Sequence, residues 1–192
     1  MKVTGITGGI GTGKSTVLSI LKGLGFYTIN ADTLAREVIQ KNRPAYIKII
    51  EEFGIDILDS ESNIDRKKLS DIVFEDNNRL KKLNSIIHPD VIIAIKGIVE
   101  KYRYREEYSG IAVEAPIPVK EFCDLCDEIW YIKAAKETAK NRVQERDNLR
   151  YEEIEKRMNA QEIIDYDAIA DKTIVNDGDY KSLETSIKNI LK

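Results

Sequence analysis

Residues 8–15 read G-G-I-G-T-G-K-S, which fits the phosphate-binding pattern G-x-x-x-x-G-K-[ST]. Each residue type has a job in that chemistry. The glycines let the backbone curl so that several N–H groups point at one anion. Lys14, expected to face solvent, can reach the β- and γ-phosphates of a nucleotide, and Ser15 can place its hydroxyl on Mg²⁺. Gly9, Gly11, Thr12, Gly13, Lys14, Ser15 and Thr16 are therefore the candidate triphosphate contacts. The flanking residues support this. Lys2-Val3-Thr4-Gly5-Ile6-Thr7 is strand-like, and apolar Val17, Leu18, Ile20 and Leu21 follow with the spacing of a buried helix face. The loop would thus feed a helix N-terminus, with its free N–H groups and partial positive charge.

Further candidates lie at the ends of other apolar runs. Phe26-Tyr27-Thr28-Ile29 reads as a second strand, followed by Asn30-Ala31-Asp32. The Asp32 carboxylate is expected to face the phosphate loop. It is read there as a general base for an attacking hydroxyl, as a Mg²⁺ holder, or as a plain helix N-cap. Ile111-Ala112-Val113 is a third strand, closed by Glu114, a place suited to holding Mg²⁺ or its water. Ile129-Trp130-Tyr131-Ile132 is a fourth. Thr173-Ile174-Val175 is a fifth, ending at Asn176-Asp177-Gly178-Asp179, which reads as a plain turn or as an adenine-contacting loop. Short apolar strands separated by helices predict a parallel sheet covered on both faces. Ligands of such sheets bind outside the strands' carboxyl ends, where Asp32, Glu114 and Asn176 all fall.

Two helical stretches interrupt this alternation. Residues 55–104 are helical by pattern, with Asp65 capping a helix over 66–74 and a long run over 77–105 broken at His88-Pro89. His88, the one histidine, reads as structural or exposed, with a ligand contact as the other reading. Residues 139–167 carry Arg142, Arg146, Arg150 and Arg157. Arg142 and Arg146, four apart on one helix face, could stabilise charge on a transferring phosphoryl group from a mobile lid. Cys123 and Cys126 form C-x-x-C without the histidine partners of a zinc site, so they are read as reduced, half-buried thiols.

Bulk properties narrow the classes. The chain has 192 residues, enough for one α/β domain with insertions. Its 30 basic and 33 acidic residues leave a net charge of −3, with no basic footprint for nucleic acid or an anionic membrane. No apolar run approaches the roughly 20 residues that span a bilayer. The first strand starts at residue 2, so no cleavable signal is expected and the cytoplasm is the expected compartment.

Taken together, these segments resemble the dephospho-CoA kinase family. The likeness runs through T-G-G-I-G-T-G-K-S-T at 7–16, N-A-D at 30–32 with Arg36, F-G with I-L at 53–58, I-D-R-K-K-L at 64–69 and V-F at 73–74. It continues through I-I-H-P at 86–89, N-R-V-Q-E-R at 141–146, R-M-N-A-Q at 157–161 and A-D-K-T-I-V-N-D-G at 170–178. The phosphate loop alone would name only a superfamily, whereas the whole series is far more specific. The resemblance implies an α/β P-loop kinase fold of three layers, with a five-stranded parallel sheet, a helical CoA domain and an arginine-rich lid. Applied here, the core spans about 1–54 and 107–192, the helical substrate-binding insertion about 55–106, and the lid about 139–167. It implies ATP and Mg²⁺, and transfer to the ribose 3′-hydroxyl of dephospho-CoA.

On the same resemblance Asp32 is the base and Arg142 the lid arginine, so the catalytic candidates are Asp32, Lys14 and Arg142. Asn176 joins the ATP-binding set, Asp32, Arg36 and His88 bind substrate, and Ser15 with Glu114 holds the metal. Three positions depart from the family pattern. Glu114 stands where aspartate is common, Lys120 where glutamate is, and Asn30 where D-A-D has its first aspartate. The competing readings are another small P-loop kinase acting on a nucleoside, nucleotide or sugar, and a regulatory nucleotide switch.

Overall fold

In the computed structural model, the described residues are 1–74, 76–147, 150–159, 161 and 164–192. The chain forms two compact units. One comprises residues 1–30 and 99–192, the other residues 31–98.

The first unit is built on a five-stranded, all-parallel sheet. Its strands are β1 (Val3–Thr7), β2 (Phe26–Asn30), β3 (Gly110–Glu114), β4 (Glu128–Lys133) and β5 (Lys172–Val175), in the order β2-β3-β1-β4-β5. All five strands fall where the apolar runs predict them. Every residue of β1 and β3 is buried, as expected for central strands covered on both faces. The register sets Ile6 beside Glu114 and Thr7 beside Tyr131, so the phosphate loop leaves the sheet level with the ends of β3 and β4.

Helix α1 (Lys14–Gly23) packs Val17, Ile20 and Leu21 onto this sheet, and the last helix adds Leu183 and Ile187. Ile6, Phe26, Ala112, Trp130, Ile132 and Ile174 belong to the same core, with Trp130 fully buried. Burying side chains of this size contributes about 1.5–3 kcal/mol each before entropy is counted.

In the second unit, α2 (Ala31–Val38), α3 (Pro44–Phe53) and α4 (Arg66–Phe74) are followed by α5 (Asn77–Tyr102), whose last residues belong to the first unit. Its own core gathers Ile49, Ile57, Leu69, Val73 and Leu83. Asp65 caps α4 as expected, its Oδ1 accepting from Lys67 N–H at 2.9 Å and Lys68 N–H at 3.2 Å. The expected break at His88-Pro89 is corrected. Helix α5 runs through Pro89. Proline removes one donor to the carbonyl four residues back, here Ser85. Both residues are exposed, so water can take that donor's place. Apolar Leu83, Ile87, Val91 and Ile95 at i+4 spacing keep one face apolar across the proline.

The remaining helices of the first unit are α6 (Lys120–Cys123), α7 (Lys136–Asp147), α8 (Tyr151–Asn159), α9 (Tyr166–Ile169) and α10 (Tyr180–Ile190). The expected lid at 139–167 takes in most of α7 and all of α8. Residues 148, 149, 160, 162 and 163 of that range, one of them in the R-M-N-A-Q motif, lie outside the described residues.

Cys123 and Cys126 are free thiols, each half-buried. Burial raises both, and Cys126 is pushed up to about 12. At pH 8 such a thiol is ionised in only about one molecule in ten thousand. Cys126 is therefore expected to stay unmodified under iodoacetamide at pH 8 while a free cysteine reacts fully. Mass spectrometry of the native chain checks this, and rapid labelling of Cys126 would contradict its burial.

Candidate active site

The phosphate loop connects β1 to α1 and is held by its own side chains. Gly9 O accepts from Thr12 Oγ1 at 2.9 Å and from Lys14 Nζ at 2.9 Å. Gly13 adopts a left-handed φ of 91° at the helix entrance. A Cβ there would overlap Asn176 Nδ2, and one on Gly11 would overlap the Ala139 carbonyl oxygen. Only glycine suits either position, because each combines positive φ with close approach. No acidic residue occupies the first turn of α1, so its positive end is left for an anion.

Lys14 differs from what the sequence suggests. Its ammonium does not lie in solvent: Lys14 is only 8% exposed, folded back onto the Gly9 carbonyl. Its long stem packs while its charged head finds an acceptor within the loop.

A cavity of about 350 Å³ opens on this loop. Gly11, Gly13, Lys14, Ser15 and Thr16 form one wall, and Glu114, Arg142 and Arg146 the other. Glu114 is 6% exposed and accepts from Asn30 Nδ2 at 2.9 Å. A buried carboxylate needs hydrogen bonds or cations around it, and both kinds of group line its surroundings here. Asn30 thus has a role as donor to Glu114. In this chain an amide–carboxylate pair stands across β2 and β3, in the register that sets Asn30 beside Glu114.

Both arginines reach the cavity from α7, in different ways. Arg142 Nη1 donates to Asn176 O at 2.8 Å and Nη2 to Gly178 O at 3.4 Å. Arg146 sets its fork on the Asp147 carboxylate, through Nε at 2.7 Å and Nη2 at 2.8 Å. That bond, and Glu114 further off, hold the Arg146 guanidinium protonated more firmly than usual. Arg146 in turn lowers the Asp147 carboxyl below the ordinary carboxylate range.

Asn176 directly follows β5 and is 5% exposed. Its N–H donates to Lys133 O at 2.7 Å and its side-chain amide to Thr12 O at 2.9 Å. The amide nitrogen is thus committed to shaping the phosphate loop. Asp177 accepts from Ala135 N–H at 2.7 Å, tying the same turn to the start of α7.

Asp32 and Arg36 lie in the second unit, both exposed on α2. Asp32 sits in the first turn, one residue past the helix start, so the N-cap reading of this aspartate is corrected. With Arg66, Ile39, Leu69 and Val73 it lines a cavity of about 330 Å³. Arg66 of this lining is not legible as a site residue from sequence, because an arginine beginning a helix looks like an ordinary solvated cation. His88 is half-buried on α5 and is not among the described residues lining that cavity.

A family model described as "Dephospho-CoA kinase" matches residues 2–182. The chain belongs to the dephospho-CoA kinase family. A dephospho-CoA kinase of Carboxydothermus hydrogenoformans is 36% identical over 100% of this chain and 94% of its own length. The dephospho-CoA kinase of Campylobacter jejuni has a solved structure at TM-score 0.70 and 27% identity, covering 98% of this chain and 94% of that one. A Thermus thermophilus structure aligns at TM-score 0.78 and 27% identity, over 99% and 96%. As a dephospho-CoA kinase family member the chain is an enzyme of the final step of coenzyme A biosynthesis, with ATP the donor that a kinase implies. Its five-stranded parallel sheet is that of the P-loop kinases. Among the described residues no helix is long and apolar enough to cross a membrane.

Proposed function

We propose that this chain transfers the γ-phosphoryl group of Mg²⁺–ATP to the ribose 3′-hydroxyl of dephospho-CoA, giving CoA and ADP. The observation that carries the reading is the cavity in which Lys14, Arg142, Arg146 and the open N-terminus of α1 meet Ser15 and Glu114. Three cations and a row of loop N–H groups suit a triphosphate. Gly9, Gly11, Thr12, Gly13, Lys14, Ser15 and Thr16 take the phosphates, and Asn176 shapes the loop under the nucleotide. An exposed hydroxyl and a buried carboxylate on one cavity are hard oxygen donors that fit Mg²⁺, which commonly takes one or two protein ligands plus phosphate oxygens. When bound there, Mg²⁺ neutralises charge on the β- and γ-phosphates.

Asp32 is the proposed base, with Arg36, Arg66 and His88 on the acceptor side. Arg36 and Arg66 can meet the acceptor's diphosphate, while the apolar lining behind them suits the uncharged parts of the molecule. The cytoplasm remains the proposed compartment, and residues 139–167 the proposed lid.

Acceptor preference tests this reading. ADP release is measured with dephospho-CoA, adenosine, AMP and gluconate in parallel. Dephospho-CoA is expected to give the highest kcat/KM, because remote contacts to its diphosphate and pantetheine help position the hydroxyl. Equal kcat/KM for adenosine or AMP would sink the acceptor assignment. Slow hydrolysis independent of any acceptor would favour a nucleotide switch instead.

Arg142→Ala is expected to lower kcat by about 10²-fold at saturating ATP, as loss of a donor to the transferring group typically does. Arg142→Lys keeps the charge and loses the planar fork, and should recover little. Arg146→Ala should do less, because its charge is paired with the Asp147 carboxylate, whereas Arg142 is held by the neutral carbonyls of Asn176 and Gly178. Steady-state kinetics of the three variants decide the matter, and an unchanged kcat for Arg142→Ala removes that residue from the transfer step.

A further inference from the structure

The phosphate loop is walled on two sides. One side is the cavity of Lys14, Glu114 and the two arginines. The other is a hollow of about 290 Å³ whose lining includes Gly9, Ile10, Tyr131, Met158, Gln161 and Tyr166. Gly9 and Thr12 of the loop reach that side too, but the proposed reaction gives no role to Ile10 or Gln161 there. There the Ile10 N–H donates to Gln161 Oε1 at 2.8 Å, across 151 residues of sequence.

A glycine-rich loop binds an anion well only if its N–H groups already hold one inward-facing arrangement. Residues 8–13 contain four glycines, each adding backbone freedom that must be lost when the loop orders. The internal bonds converge on Gly9 O and shape the turn from within. From outside, Asn176 takes the Thr12 carbonyl in the second half of the loop. Gln161 takes the Ile10 N–H in the first half. Neither Ile10 nor Gln161 is among the described residues lining the Lys14 cavity. Gln161 therefore meets the loop on the side of the second hollow.

Gln161 is also held through its own backbone. Its N–H donates to Met158 O at 2.9 Å, and Ile164 N–H donates to Gln161 O at 3.1 Å. Beyond it, Tyr166 stacks on Tyr131 with ring centroids 5.0 Å apart, and its hydroxyl donates to Pro116 O at 3.0 Å. Tyr131 and Tyr166 line the same hollow as Gln161 and Ile10.

We propose that Gln161 is a positioning residue for the phosphate loop: by accepting the Ile10 N–H it locks the first half of the loop in the form that receives the triphosphate, without touching the nucleotide. A neutral amide suits this place. It supplies an acceptor without adding negative charge beside a site built for a polyanion. The assignment rests on the ATP-binding part of the proposed function.

Two variants test it, with affinity measured by titration of ATP alone. Gln161→Met keeps length and packing and removes the acceptor. It should weaken ATP about five- to tenfold, as loss of one hydrogen bond does, and speed hydrogen exchange at the Ile10 amide, with Tm little moved. Gln161→Glu keeps the acceptor. In 0.5 M salt, where the Debye length is about 4 Å, it should bind ATP more tightly than the methionine variant and protect the Ile10 amide. A methionine variant with wild-type ATP affinity overturns the proposal, as does a glutamate variant as weak as methionine in the same salt. A merely structural Gln161 would lower Tm without separating the two. Transfer to dephospho-CoA is scored separately on the wild type, so failure of the acceptor reading leaves the ATP comparison standing.

Discussion

Lys14→Met is expected to reduce phosphoryl transfer by about 10²-fold or more, the scale of losing one preorganised charge contact to the transferring group. Methionine is the informative replacement because Lys14 is 8% exposed. An alanine would also remove a packed stem, so lost activity and lost folding would be mixed. Methionine keeps most of the stem and deletes the ammonium. The bond from Nζ to Gly9 O goes with it, and a net hydrogen bond to a charged group is worth about 1.5–3 kcal/mol. Thr12 Oγ1 still donates to the same carbonyl, so part of that loss is offset. Thermal melts alongside single-turnover transfer separate the two effects. Near-normal transfer in a folded variant would mean that the loop does not hold a reacting phosphate.

The second large effect is expected at Asp32. Asp32→Asn preserves shape but cannot take the proton of the acceptor hydroxyl. We expect kcat to fall by about 10²- to 10⁴-fold, the usual range for a positioned base. Phosphoryl transfer passes through a loose transition state, so the base acts late and largely orients the nucleophile. Stability should change little. Asp32 is exposed in the first turn of α2, and an acidic side chain there contributes about 0.3–1 kcal/mol through the helix dipole. A variant that lost stability but kept its activity per folded molecule would make Asp32 a structural residue. One that lost Mg²⁺–ATP affinity would move it from base to metal holder.

Some of the site was legible because its signals are local. A glycine-rich loop between a strand and a helix announces itself in eight residues, since φ, spacing and helix entry are all short-range properties. The five strands were legible for a related reason, each being a short apolar run bounded by turn residues. Asp65 as a cap was readable from its position before a helical pattern. Pro89 misled, because the local cost of a proline inside a helix is set against packing that only the folded chain supplies. Lys14 misled likewise. Whether a flexible four-carbon stem lies in water or folds onto a carbonyl depends on the curl of the loop around it.

By itself, the sequence determined the family, the strand and helix content, and the chemical types of the site: a phosphate loop, carboxylates at strand ends, and arginines four apart on a helix. Tertiary structure decided what those groups do to one another. The strand order β2-β3-β1-β4-β5 sets Asn30 beside Glu114 and brings Ser15 and Glu114 to one cavity with Arg142 and Arg146. It commits the Asn176 amide to Thr12 and reaches Gln161 around to Ile10. The physical reason is separation. The hydrogen-bonded pairs among them lie 84 to 164 residues apart, and such a bond depends on sheet register and side-chain direction. No short window of sequence carries either.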